Sequence, residues 1–326
     1  MIVNPANMQI FFTNVQTTFW TAYGAAAPWW SQVASLKPSQ TEIEQDGWPG
    51  MIPTLREWIG ERVVNNMLGH TYTLANLPFE LTLDVDRFKL EDDTHGVYAP
   101  YTQWMGLQNA KWPDYMIADV MRLNLRNSYD GVAYYATNHP DGLGGTFSNQ
   151  LSLALTPDNF QTARATMAKY VSENGRPLGL SADLLVVPPS LEITALNILN
   201  ASFIAPTLIG GNTQVGANEN MLKGIARLLV VPELEFTGAS TVFFGTTALT
   251  TGGPDPAKTW YLFDTKRPIR SHVFQQRESP VFVPRVAMTD PIVFDQHKFL
   301  FGSHARGNIG VSLPWLSLRS VGGTLP

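Results

Sequence analysis

Cysteine is absent from this 326-residue chain, which excludes disulfides, thiolate metal sites and a thiol nucleophile and leaves the redox compartment open. Charge is scarce. The 22 Lys+Arg and 27 Asp+Glu residues make up 15% of the sequence, against about 25% in an ordinary soluble domain. A compact monomer of this length exposes ~13,000 Å², or roughly 270 Å² per charge. So sparse a surface suggests one that largely faces other protein. No apolar run approaches the length of a membrane span, and the N-terminus lacks the basic segment and apolar block of a secretory signal. A soluble product that stays where it is made is the expectation. The net charge of −5 argues against a dedicated nucleic-acid binder, which shows a basic patch or stripe, but leaves weak non-specific contact open.

Catalytic motifs are missing as well: there is no HExxH, no GxSxG elbow and no GxxxxGK[ST] loop. The six histidines (His70, His95, His139, His272, His297, His304) are scattered. His297 and His304, seven apart across a turn, permit a shared metal but read more simply as separate surface or pocket residues. His139-Pro140-Asp141-Gly142 has the look of a cation or phosphate loop, yet no Lys and capped helix follow it, and it reads as a flexible turn. Asp84 and Asp86, with Glu91, Asp92 and Asp93, invite an acid/base or Mg²⁺ reading. Alternation puts Asp84 and Asp86 on one strand face, where solvation explains them equally well. No enzyme chemistry, metal or cofactor is expected.

What is present is 44% hydrophobic and 11% aromatic residues, ample for a core and incompatible with overall disorder. Residues 1–36 hold no charged residue or histidine but include Phe11, Phe12, Phe19, Trp20, Tyr23, Trp29 and Trp30, with no evident period. Two readings stand: an arm lying on a surface, or an N-terminal strand tucked against its own core. Residues 42–96 are the reverse, with eleven acidic and four basic side chains netting −7. Within them, residues 79–88 alternate as a half-solvated strand does, and residues 91–96 have turn composition. The region reads as an extended, charged β excursion.

Residues 100–129 are helical in pattern with a break predicted at Trp112-Pro113, after which Met116, Ile117, Val120 and Met121 form one apolar face. A cleaner helix is predicted over 157–174, with Thr156 as N-cap, Gly175 as left-handed stop, and Phe160, Ala163, Met167, Tyr170 and Val171 buried. Then comes a strand over 182–187, stopped by Pro188-Pro189, and a helix to about Asn200 capped by Ser190. Short strands are expected at 225–231, 241–245, 259–263, 268–276 and 299–311. Residues 258–285 net +4. The fold class is α+β.

Certain stretches carry a resemblance. Asp46-Gly47-Trp48-Pro49-Gly50-Met51-Ile52-Pro53-Thr54-Leu55-Arg56-Glu57-Trp58-Ile59-Gly60-Glu61-Arg62 closely resembles the R-E-W-x-G-x-R segment of the Mu-like phage major head (capsid) protein family. Phe79-Glu80 with Glu91-Asp92-Asp93, Tyr129-Asp130-Gly131, the segment 184–191, and Gln276-Arg277-Glu278 with Gly302-Ser303-His304-Ala305-Arg306 are similar in the same order. The resemblance implies an α+β Hong Kong 97-type capsid fold: arm 1–36, extended β-hairpin loop 37–99, peripheral domain 100–149 and 266–326 with a spine helix, and axial domain 150–265. It further implies a major capsid protein, not an enzyme, that assembles with itself as hexamers and pentamers into an icosahedral head around double-stranded DNA. Assembly takes place in the host bacterial cytoplasm and the product resides in the virion, with a separate scaffold, a portal and decoration proteins as partners and no membrane. An encapsulin-like shell or another phage ring protein is the alternative. The charge split predicts that the acidic loop of one subunit meets the basic strip of its neighbour. Arg56, Glu57, Trp58, Arg62, Asp84, Asp86, Arg270, Arg277, Glu278, Arg285, Trp20, Trp29 and Trp30 are the expected interface residues.

Overall fold

Phe11, Phe12, Val15, Phe19, Ala22 and Tyr23 recur at helical spacing, and in the computed structural model they belong to a helix, Pro5–Ala25. The structure describes residues 5–49, 57, 69–91, 98–172, 175–204, 218–243, 254–287 and 289–323. The strand reading of the N-terminal segment is thereby corrected. Its apolar residues follow a 3.6-residue period that buries Val15 and Phe19. Phe12 meets Phe299 at 5.4 Å between ring centroids and Phe19 meets Phe282 at 4.8 Å, so the helix lies on its own chain.

It lies also on a second helix, Tyr98–Leu123, which runs unbroken through Pro113. The break expected there does not occur. Pro113 removes one backbone donor, but the turns around it bury Trp112, Met116, Ile117, Val120 and Met121 in the core, and this burial outweighs the local preference. Where the two helices cross, Gly106 leaves room for the N-terminal helix, because a Cβ at 106 would run into the Phe19 carbonyl oxygen and lie 3.0 Å from Ala22 Cβ.

Two sheets flank the long helix. One is ordered Ala34–Pro38, His272–Arg285, Lys298–Val311, Leu77–Asp86, with the first pair parallel and the others antiparallel. The other is ordered Arg227–Val230, Leu184–Val187, Thr259–Phe263, Ser317–Val321, Gln150–Leu151. Period-two alternation splits the second sheet between two cores. Leu184, Val186, Tyr261 and Phe263 face the long helix, whereas Leu185, Val187, Trp260, Leu262 and Leu318 pack with Phe160, Met167 and Ile198. A separate hairpin pairs Ile43–Pro49 with Gly69–Ala75.

Several boundaries differ from expectation. Thr156 caps the helix Pro157–Ala168 through Asn159 N–H at 3.2 Å, and Phe160, Ala163 and Met167 are buried as expected. The helix stops six residues early, however, and Gly175, at φ +78°, serves a tight turn bridging Val171 and Pro177. Ser190 caps nothing with its side chain: a 3₁₀ turn, Pro189–Leu191, precedes the helix Glu192–Asn200, and the Ser190 N–H donates to Glu235 Oε1 at 3.1 Å. Among the described residues 241–243 there is no strand. The strand expected at 268–276 begins at His272 and continues to Arg285.

Just beyond Pro113, buried Asp114 accepts the Trp29 N–H at 3.2 Å and the Trp30 N–H at 2.8 Å. It ties the chain leaving the N-terminal helix to the long helix. Burial pushes its pKa up to about 6, and the charge of Glu233 adds to the rise, while the two N–H bonds and Lys111 pull it down. The folded protein thus binds this proton more tightly than the unfolded chain does. The site's contribution to stability is full below the ordinary carboxylate value of 3.8 and is lost as pH rises through about 6. In thermal melts, Asp114→Asn should remove the fall in stability over that interval. Gly106→Ala should cost about 1–3 kcal/mol, the range for overpacking a close contact, and should speed hydrogen exchange in the Pro5–Ala25 helix. A melt unchanged from wild type would show that the helix crossing is not tight.

Candidate assembly surface

Of the charged residues expected at an interface, Asp84, Asp86, Arg270, Arg277, Glu278 and Arg285 are already engaged within the subunit. Asp84 pairs with Lys298 Nζ at 2.6 Å, both side chains being exposed, and the Lys298 hydrogen bond and charge hold its pKa below the usual carboxylate range. Asp86 Oδ1 accepts the N–H groups of Phe88 and Lys89 at 2.9 and 3.1 Å, starting the short helix Arg87–Glu91. Arg285 makes a two-pronged bridge to Asp290 at 3.0 Å per prong, and Asp290 also caps the helix Pro291–Gln296. Arg270 donates to the Gln32 carbonyl at 2.5 Å and Arg277 to the Ser39 carbonyl at 3.3 Å. Glu278 lies 3.5 Å from His304. Glu57 is exposed. Arg56, Trp58 and Arg62 lie outside the described residues, as do residues 92–96 of the turn expected over 91–96, whose first residue, Glu91, ends the helix Arg87–Glu91.

The aromatic candidates divide. Trp20 is 39% exposed on the N-terminal helix, edge-on to Phe19 and Tyr23. Trp29 and Trp30 are half-buried, Trp30 standing 5.2 Å from Phe274. More apolar surface is open elsewhere than the sequence suggests: Trp104 is 63% exposed, Ile193 70%, Phe294 75% and Met221 81%. Burial-pattern reasoning has no way to tell such residues from core until the elements carrying them are placed. A groove of about 390 Å³ runs between strand Leu77–Asp86 and the long helix, with Phe79, Leu81, Gln108, Trp112 and Tyr115 in its wall. A second pocket of about 210 Å³, almost wholly apolar, is formed by Leu180, Pro268, Ile269, Leu313 and Trp315.

His139 and His297 carry structural roles. His139 is buried, its Nδ1 2.6 Å from Asp130 Oδ2 and its Nε2 3.1 Å from the Tyr134 carbonyl. The loop after it is pinned: Asp141 Oδ1 accepts the N–H groups of Leu143 and Gly145, each at 2.8 Å, so the flexible turn expected there is a closed one. His297 ends the Pro291–Gln296 helix at φ +52°, its ring tilted against that of Phe88 at 5.0 Å between centroids. Among the described residues no group of three His, Asp or Glu is placed to hold a metal, and no helix is long and apolar enough to cross a membrane.

The residues that sequence reading misses form a buried polar joint at the base of the 43–49/69–75 hairpin. Asn76 Nδ2 donates to Ser39 Oγ at 2.7 Å and to the Thr41 carbonyl at 2.8 Å, and Asn76 Oδ1 accepts from Gln275 Nε2 at 2.9 Å. Glu44 Oε1 accepts from Ser39 Oγ at 2.8 Å and from the N–H groups of Gln40 and Thr41. These bonds, that of Ser39 foremost, lower the Glu44 pKa to about 2. Uncharged Ser, Asn and Gln carry no compositional signal, and nothing short of the topology would bring 39, 76 and 275 together.

The comparisons with known proteins agree along the chain. The family described as Mu-like prophage major head subunit gpT matches residues 8–154, 146–234 and 242–323. The major capsid protein of Escherichia phage Mu is 27% identical over 312 residues, covering 72% of this chain and all of that protein. The Mu-like prophage FluMu major head subunit of Haemophilus influenzae is 25% identical over 177 residues, covering 54% of this chain and 58% of its own length. Among solved structures, the procapsid of bacteriophage JBD30 is 24% identical with a TM-score of 0.55, over 98% of this chain and 76% of that one. The capsid of cyanophage P-SCSP1u is 12% identical with a TM-score of 0.59, over 92% and 89%. Those likenesses give the α+β arrangement above its class, the Hong Kong 97-type capsid fold. With a family match running from residue 8 to residue 323, the chain belongs to the Mu-like prophage major head subunit gpT family.

Proposed function

We propose that this head subunit associates with copies of itself, as hexamers and pentamers, into a closed icosahedral shell around double-stranded DNA. The single observation carrying this reading is the head-subunit family match across residues 8–323. Physical features support it. Only 15% of residues are charged, and large apolar side chains such as Trp104, Phe294 and Met221 stand exposed, as suits a surface that other copies cover. In this reading residues 1–36 form the arm, 37–99 the extended loop, 100–149 and 266–326 the peripheral domain, and 150–265 the axial domain. Assembly takes place in the host cytoplasm, with a separate scaffold, a portal and decoration proteins as partners and weak, non-specific contact with DNA.

The acidic stretch 42–96, at −7, and the basic stretch 258–285, at +4, then meet across a subunit boundary, where complementary fields set register and partner choice more than raw affinity. Since Arg270, Arg277 and Arg285 are engaged within the subunit, the charge is better probed at Lys266, which is exposed. Size-exclusion chromatography with light scattering, followed by negative-stain microscopy of the heaviest fraction, should show shells, or capsomers that become shells when scaffold is added. A monomer that never associates under either condition overturns the reading. Lys266→Glu should lower shell yield while leaving the subunit's melting curve unchanged, and wild-type yield would remove the charge-matching step alone.

A further inference from the structure

The chain crosses between the hairpin and the four-stranded sheet at two joints. On one side strand Ala34–Pro38 ends, residues 39–42 follow, and the hairpin strand starts at Ile43. On the other the hairpin strand ends at Ala75 and the sheet strand begins at Leu77, so Asn76 alone separates them. A hairpin attached through so short a pair of joints swings on whatever holds them, because its strands pair with each other and with neither sheet.

The joints are bolted to one another. Asn76 Nδ2 reaches Ser39 Oγ and the Thr41 carbonyl across the gap, and the Asn76 N–H donates to the Glu42 carbonyl at 2.9 Å. Both are fastened to the sheet. The Ser39 N–H donates to the Gln276 carbonyl at 2.9 Å, and Gln275 Nε2 donates to Asn76 Oδ1 and to the Leu74 carbonyl. Asn308 Nδ2 donates to the Ala75 carbonyl at 2.7 Å. Ser39, Asn76, Gln275 and Asn308 are all buried, so water does not replace these bonds without opening the joint. An apolar latch lies alongside, where Leu74 and Tyr72 rest on Gly310. A Cβ there would stand 2.9 Å from Leu74 Cδ2 and 3.2 Å from Tyr72 Cε1.

We infer that Asn76 is a positioning residue for assembly: with Ser39, Gln275 and the Gly310 latch, it sets the angle at which the hairpin leaves the body, and that angle sets the curvature of the shell. The inference rests on the self-assembly reading above. In a closed assembly of identical subunits, a small change in the angle of a projecting element repeats at every contact and alters whether and at what radius the assembly closes. The polar lock fixes the angle by directional bonds, and the latch fixes it by contact, so the two can be perturbed separately.

The test compares wild type, Asn76→Ala and Gly310→Ala. In the free subunit, Asn76→Ala removes three side-chain hydrogen bonds of the lock and should speed exchange at the Ser39 amide by at least about tenfold, with the long helix unaffected. In cryo-EM of assembly reactions, both variants should convert as much protein to large particles as wild type but into shells of shifted or mixed diameter and unclosed sheets. Loss of stability alone would lower yield and melting temperature without moving the diameter. Variant shells of wild-type diameter, even at reduced yield, overturn the inference while leaving the capsid reading intact. Wild-type subunits that form no particles overturn both, and variants that do not fold, by circular dichroism, overturn the separation of lock from fold on which the inference stands.

Discussion

The burial of the long helix, Tyr98–Leu123, is the constraint on which the rest of the structure depends. It is enclosed from several sides: the N-terminal helix crosses it at Gly106, the five-stranded sheet covers Met116, Ile117, Val120 and Met121, and the four-stranded sheet meets Trp112 through Phe79 and Phe274, at 5.0 and 5.4 Å. Each fully buried large side chain contributes about 1.5–3 kcal/mol, so the run of them outweighs the local cost of Pro113. Because both sheets take their positions from one helix, they hold a common frame, and every projecting element is fixed relative to that frame. The Asp114 clasp is a consequence: the helix that organises the core also captures the chain as it leaves the N-terminal segment.

Much of this was legible where the signal is local. The Thr156 cap, the alternating strand expected over 79–88 and the apolar strand expected over 182–187 rest on propensity and period, and the structure contains the cap and strands Leu77–Asp86 and Leu184–Val187, with residues 87 and 88 passing instead into a short helix. Errors arose where a local rule met a tertiary one. Trp112-Pro113 favours a break in isolation, but the buried turns around Pro113 tolerate a missing donor. The strand alternative for the N-terminal segment fails for another reason: the spacing of Phe12, Val15 and Phe19 follows a helix face and not a two-residue period.

The charged positions teach a different lesson. Composition located the acidic and basic stretches, but charge counts carry no information on partners. Asp84, Asp86, Arg270, Arg277, Glu278 and Arg285 each have a partner in their own chain. Exposed pairs such as Asp84 with Lys298 are screened by solvent and salt, so their role in stability is small. What they do is orient: Asp86 starts a helix, Asp290 both caps a helix and holds Arg285, and Arg277 reaches the carbonyl of Ser39 at the base of the hairpin. The resemblance in Gln276-Arg277-Glu278 therefore acquires a physical content that motif matching does not supply, since this tripeptide sits beside Gln275 at the joint where the hairpin is fastened.

This redistributes the work of assembly between charge and shape. Arg270 and Arg277 bond neutral carbonyls and keep their charge, so in the assembly reading proposed above complementary fields act beside open apolar surface: Trp104, Ile193, Phe294, Met221 and the pocket between Leu180 and Trp315. Apolar contacts are non-directional and by themselves tolerate sliding between copies. Direction has to come from geometry built into each subunit before it meets another, and under the inference above the hairpin clamped by buried hydrogen bonds is the element that would provide it. Buried joints and sparsely charged, apolar faces are thus consistent with the proposed assembly, in which the interior of the subunit would store the geometry and its surface supply the adhesion.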